Sequence, residues 1–209
     1  MSARASSIAA LFFALALAPA NAAISYTGVF LQDDEEATFS FTVAAPANVL
    51  FQTYGYAGGT NGNGTAISPG GFDPVLSLFD SAGTLIAFND DNPVAPVDPV
   101  TGVGLDSLIS IILTTGSYTL VLTQSDNYPI GPDLAAGFTR TGQGNFTGPA
   151  FTGSPGSFWD FTPAQRNGAW ALDIDGDGVA VPGVPEPGTF GTLSFGLGGL
   201  LFLLNRRKC

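Results

Sequence analysis

Hydrophobic and polar positions alternate with period two along Ala37–Val43, where Phe39, Phe41 and Val43 share one face and Thr38, Ser40 and Thr42 share the other. The same alternation runs through Ser117–Thr123, with Tyr118, Leu120 and Leu122 opposite Thr119, Val121 and Thr123. A strand turns successive side chains to opposite faces, so both segments read as half-buried β-strands. Shorter apolar runs at Ile24–Phe30, Val49–Tyr54, Val75–Phe79, Thr84–Phe88, Leu105–Leu113 and Ala169–Ile174 read as further strands, with Gly, Asn and Asp turns between them. No helical period survives between residues 23 and 183. The pattern predicts an all-β fold, an antiparallel β-sandwich of jelly-roll-like type, in a single domain over residues 23–183. Two stretches, 57–71 and 131–156, are rich in Gly, Pro, Thr and Asn and read as long surface loops. Phe138, Phe146, Phe151 and Phe158 punctuate or follow the second. Pinning of that loop to the sandwich is favoured over a sugar-stacking surface.

The two ends follow another logic. Residues 1–22 carry Arg4, the apolar run Ile8–Ala18, and then Pro19 and the small-residue end Ala20-Asn21-Ala22. A run of about a dozen residues is too short for a bilayer core, which takes about 20. Followed by an A-x-A site, it reads as a signal peptide that signal peptidase removes after Ala22. At the other end Val184, Pro185, Glu186 and Pro187 precede the apolar, glycine-dotted stretch 188–204, and Arg206, Arg207 and Lys208 follow it. As a helix this stretch reaches roughly 25 Å, close to the thickness of a hydrocarbon core. The cationic cluster marks its cytoplasmic end, so the body lies outside the cytoplasm, as the signal peptide also requires.

The Val184–Pro187 motif, the apolar helix and the basic cluster, in that order, resemble the PEP-CTERM sorting signal of Gram-negative bacteria. The resemblance implies a membrane-anchored precursor recognised and cut near Pro-Glu-Pro by an exosortase, in cells that make exopolysaccharide. It implies a route and not an activity. Pro185 and Pro187 also hold the chain extended, the geometry a protease cleft accepts.

Composition narrows the chemistry. The sequence has no histidine, and its single cysteine is Cys209. The body therefore has no Ser-His-Asp or Cys-His machinery, no histidine-ligated zinc and no disulfide. Between residues 23 and 183 only Arg140 and Arg166 offset the acidic residues of a chain with formal net charge −11. Such a surface repels phosphates, which excludes nucleic acid as a partner. It suits a divalent cation, and calcium is the abundant one outside the cell. The body reads as a non-catalytic surface or matrix module associated with exopolysaccharide, with calcium as a candidate cofactor. The alternative is a secreted polysaccharide hydrolase drawing a carboxylate pair from Asp73, Asp80, Asp90, Asp91 and Asp106.

The most informative internal segment is Phe72–Asp91. Asp80 and Gly83 suit a tight turn, so Val75–Phe79 and Thr84–Phe88 should form a hairpin. Asp73, Pro74, Leu76–Phe79, Asp80, Gly83 and Asn89–Asp91 resemble the bacterial pre-peptidase C-terminal domain, and Leu105–Leu122 resembles its closing hairpin. The resemblance implies an auxiliary β-sandwich. If Phe79 pairs with Thr84, Leu78 faces Leu85, Leu76 faces Ala87 and Asp73 faces Asp90; a one-residue bulge moves the partner of Asp73 to Asp91. Either register sets like charges opposite each other, which a hard cation would neutralise, with Asn89 and Asp106 as further ligands. A frayed strand end with solvated charges remains an equal reading. Asp173, Asp175 and Asp177 match the opening of a calcium loop, but Val184 stands where the closing Glu belongs. A flexible acidic linker after Asp173 is favoured there.

Overall fold

The computed structural model describes residues 23–182. The signal peptide at 1–22, the motif Val184–Pro187, the segment 188–204 and the cluster Arg206, Arg207 and Lys208 lie outside the described residues. Among the described residues no helix is long and apolar enough to cross a membrane.

Eight longer strands build two antiparallel sheets: β1 (Ile24–Val29), β2 (Ala37–Val43), β3 (Ala47–Thr53), β6 (Pro74–Phe79), β7 (Leu85–Asn89), β8 (Leu108–Leu113), β9 (Gly116–Gln124) and β10 (Ala169–Asp175). Three two-residue strands, β4 (Gly59–Thr60), β5 (Ala66–Ile67) and β11 (Val179–Ala180), complete the set. One sheet has the order β1-β10-β3-β8 and the other β11-β2-β9-β6-β7. The chain changes sheet at each link between the longer strands except β6 to β7, which is jelly-roll connectivity.

The two sheets meet through the apolar faces that alternation marks. Phe39, Phe41 and Val43 of β2 and Leu120 and Leu122 of β9 pack against Val49 and Phe51 of β3, Ile109 of β8 and Leu172 of β10. Phe41 lies 5.4 Å from Phe51 and 5.6 Å from Tyr118, centroid to centroid, joining the sheets. Strand β6 is buried along its whole length because its outer face is covered as well. There Phe79 meets Phe138 edge-on at 6.5 Å, together with Val121.

Phe138, Phe146 and Phe158 are buried, so aromatic pinning holds for those three. Residues 131–156 are more regular than expected, with a 3₁₀ turn at Leu134–Ala136 and a short helix α1 at Thr147–Thr152. The helix start is organised from a distance. Asp33 Oδ2 accepts from the Thr147 amide at 2.7 Å and from its hydroxyl at 2.6 Å, and Asp33 Oδ1 accepts from the Phe158 amide at 2.6 Å. Residues 57–71 likewise contain the β4–β5 ribbon, and Asp173 Oδ2 accepts from the Gly62 amide on its loop at 2.6 Å.

The hairpin register differs from the expected one. Asp80 Oδ1 accepts from the amides of Ala82 and Thr84, and Gly83 takes φ +81°, a three-residue turn with a left-handed glycine. Phe79 therefore pairs with Leu85. A further irregularity between Leu78 and Phe79 then sets Leu78 against Ala87 and Leu76 against Asn89. Asp73 is thus the cross-strand partner of neither Asp90 nor Asp91, and β7 spans Leu85–Asn89 instead of Thr84–Phe88.

Candidate metal centre

Pro74 opens β6, where its missing amide costs no ladder bond, and this leaves Asp73 at the sandwich edge just ahead of the strand. The Asp73 carbonyl accepts from the Ser125 amide at 2.8 Å, while Pro74 pairs with Gln124 of β9. Asp90 and Asp91 follow the last residue of β7, so the hairpin returns them to the level at which Asp73 enters. Oxygens of Asp73, Asp90 and Asp91 lie within 4.8 Å of one another, from a buried, a half-buried and an exposed residue respectively. Two calcium–oxygen bonds of 2.3–2.6 Å span about this distance, so one cation can reach all three. The expected grouping is therefore present, but through adjacent strand ends and not through opposed hairpin positions.

The electrostatics are those of a site short of positive charge. Burial, followed by the charges of Asp90 and Asp91, pushes the Asp73 carboxyl well above the usual carboxylate range. Burial also raises Asp90, against the hydrogen bond donated to its Oδ2 by the Tyr128 hydroxyl at 2.7 Å. Asp91 is raised by burial and by Asp90. Burial and contact with Asp90 push Tyr128 up to about 12. Asp73 Oδ1, Asp90 Oδ1 and Gln124 Oε1 are buried with no hydrogen-bond partner among the described residues. Stranded acceptors of this kind call for a water or an ion.

Ser107 adds a second sign. Its hydroxyl lies 2.6 Å from the Pro74 carbonyl and 3.0 Å from that of Asn89, and it also contacts the Asp90 carbonyl. One hydroxyl hydrogen serves one acceptor well, so the converging carbonyls retain capacity for a cation.

Two expected ligands are placed elsewhere. Asn89 Oδ1 accepts from the Leu108 amide at 2.8 Å and its Nδ2 donates to the Asp91 carbonyl at 3.1 Å, so Asn89 ties β7 to β8. Asp106 turns away from the cluster. Its Oδ1 accepts from the Thr53 hydroxyl at 3.0 Å and the Tyr56 amide at 3.1 Å, and its Oδ2 from the Ala57 amide at 2.9 Å. This capture also keeps Leu105–Ser107 out of β8, which begins at Leu108. Asp173 lies inside β10, where it accepts from the Ser25 hydroxyl at 2.5 Å; the strand continues to Asp175 and β11 pairs with β2 from Val179, so the segment after Asp173 is strand and turn and not the flexible linker expected. Asp80 is occupied by its own turn. Ser107 and Tyr128 carry no motif, and only the fold brings them to the cluster.

A buried ion pair flanks this end of the sandwich. The Arg166 guanidinium meets both Asp98 oxygens at 3.1 Å, donates to the carbonyls of Tyr56 at 2.7 Å and Gly71 at 3.1 Å, and lies 4.1 Å from the Tyr56 ring centroid. Burial opposes the charge on Asp98, but the Arg166 hydrogen bonds and backbone donors outweigh it and hold the carboxyl below its usual range.

No family model matches the sequence, and no curated protein matches it. Among solved structures, the chain is similar to the pre-peptidase C-terminal domain of a collagenase from Bacillus anthracis. The two share 11% identity, and the match covers 74% of this chain and 89% of that one with a TM-score of 0.37.

Proposed function

We propose that the chain is an exported, non-catalytic protein of the cell surface or extracellular matrix, whose β-sandwich is stabilised by calcium and associates with exopolysaccharide. On this reading signal peptidase removes residues 1–22, and an exosortase-type enzyme processes the tail at Val184–Pro187. The observation that carries the calcium reading is the gathering of Asp73, Asp90 and Asp91 with two carboxylate oxygens buried and unpartnered. An all-oxygen donor set fits a hard cation, which would cancel the mutual repulsion and hold the two ends of the β6–β7 hairpin together. Asp73, at 6% exposure, is poorly placed to protonate a glycosidic oxygen, which supports a structural role over a hydrolytic one.

The test is thermal unfolding of the body, residues 23–182, whose core clusters close among its own residues. At calcium a hundredfold above its dissociation constant, binding adds about 2.7 kcal/mol. For a domain of this size the melting temperature should rise by roughly 5–11 °C. Asp73→Asn combined with Asp90→Asn should remove the difference between calcium and chelator. Identical melting with and without calcium would rule the site out.

A further inference from the structure

The outer face of the β2–β9 pair carries a grid of hydroxyls. Ser40 lies opposite Thr119 and Thr42 opposite Ser117, all turned away from the core that Phe41 and Tyr118 enter. These hydroxyls floor a cleft of about 380 Å³ between the Asp80–Gly83 turn and Pro182, with Leu134 on its wall. Of the four, only Thr42 is engaged among the described residues, donating to the Ala180 carbonyl at 3.4 Å. A second cleft of about 450 Å³ shares Ala82, Gly83 and Leu134 with the first. The two clefts adjoin at the turn and together make the groove. The turn is held firmly: the Leu134 amide donates to the Gly83 carbonyl at 2.8 Å, and the Leu85 amide to the Pro132 carbonyl at 2.6 Å.

Cross-strand positions on one face stand about 5 Å apart and successive ones along a strand about 7 Å apart. Free hydroxyls at such spacings, each able to donate and accept, match a ligand that repeats hydroxyls along its length. Leu134, Ala82 and Pro182 offer apolar rims for the C–H faces of sugar rings. Charge decides which polymer fits. Asp80 borders the first cleft and Asp133 the second. The two arginines of the described residues are both engaged, Arg166 with Asp98 and Arg140 with Asp126. A uronate-bearing polymer would meet carboxylates and no free cation.

We propose that this groove binds an uncharged polysaccharide chain, laid across the β2–β9 hydroxyls and over the Asp80–Gly83 turn. The proposal rests on the matrix-association reading above and supplies its contact surface.

The test is affinity electrophoresis of the body in gels containing the producer's exopolysaccharide, split by anion exchange into uncharged and acidic fractions. The uncharged fraction should retard the protein. Ser40→Ala with Thr119→Val should weaken the retardation about tenfold, two hydrogen bonds of ordinary strength, with an unchanged melting temperature. Ser117→Glu, on the same exposed face, should weaken it independently. Undiminished retardation of both variants would overturn the groove and leave matrix association standing. Retardation by the acidic fraction alone would overturn the uncharged-polymer assignment. No retardation by either fraction would overturn the groove and matrix association together.

Discussion

Replacing Arg166 with methionine should destabilise the body more than any surface substitution. The guanidinium side chain is 3% exposed and the Asp98 carboxylate 1%. Removing the cation strands a buried carboxylate, which typically costs about 3–5 kcal/mol. Asp98 Oδ1 keeps the amides of Val100 and Thr101 and the Thr101 hydroxyl as donors, which places the electrostatic loss near the lower figure. The carbonyls of Tyr56 and Gly71 each lose a donor, adding about 1 kcal/mol in all. About 4 kcal/mol follows, or roughly 8–16 °C in melting temperature for a domain of this size. Urea unfolding followed by the fluorescence of Trp159 and Trp170 measures it, with an unchanged urea slope as the check on two-state behaviour. Adding Asp98→Asn to Arg166→Met removes the stranded charge and keeps an oxygen for the amides, so the double variant should recover about half the loss. A single-variant cost under about 1 kcal/mol, or a double variant no more stable than the single, would refute this account of the ion pair.

Two further outcomes follow from the site and the tail. In chelator, Asp73 holds its proton to higher pH when folded than when unfolded. Its contribution is therefore fully present below the unfolded carboxylate range and is lost as pH rises through the folded value. The melting temperature should fall as pH rises above the unfolded carboxylate range. Asp73→Asn or saturating calcium should flatten the fall, and a wild-type curve no steeper than that of the variant would refute it. Intact-mass measurement of surface material should give a chain that begins at Ala23 and lacks Arg206–Cys209; a retained tail would sink the sorting reading.

Much of the fold was legible because β2 keeps one face in the core and the other in solvent, and period two records that division directly; β9 shows the same alternation in sequence, although its outer face is covered from Val121 onward. The hairpin register was not, since it depends on the left-handed Gly83 and on a second irregularity at Leu78/Phe79, neither of which alters the apolar pattern. Leu105–Ser107 reads as strand by composition, yet Asp106 spends its carboxylate on amides some fifty residues away. Helix α1 has a glycine and a proline within one turn and no amphipathic face, and its start depends on Asp33. The metal cluster was half visible. Asp73, Asp90 and Asp91 stand out as acidic residues bracketing a hairpin, whereas Ser107 and Tyr128 are ordinary residue types until the chain folds them beside the cluster.

Strand β11 makes the exit of the chain mechanically asymmetric. It holds β2 through two paired residues, Val179 with Val43 and Ala180 with Thr42, whereas β1 holds β10 through six. Tension applied beyond Pro182 enters through β11 and loads those two pairs one after the other, as in peeling tape. Tension at Ala23 enters at the Ile24–Ile174 end of the longer ladder. Under a pull from the C-terminal side the first event is loss of β11, which withdraws Val179 and Val181 from the core and bares the edge of β2 while the β1–β10 ladder stays closed. The sandwich can therefore yield a short length of slack at its C-terminal side before its main sheets bear the load.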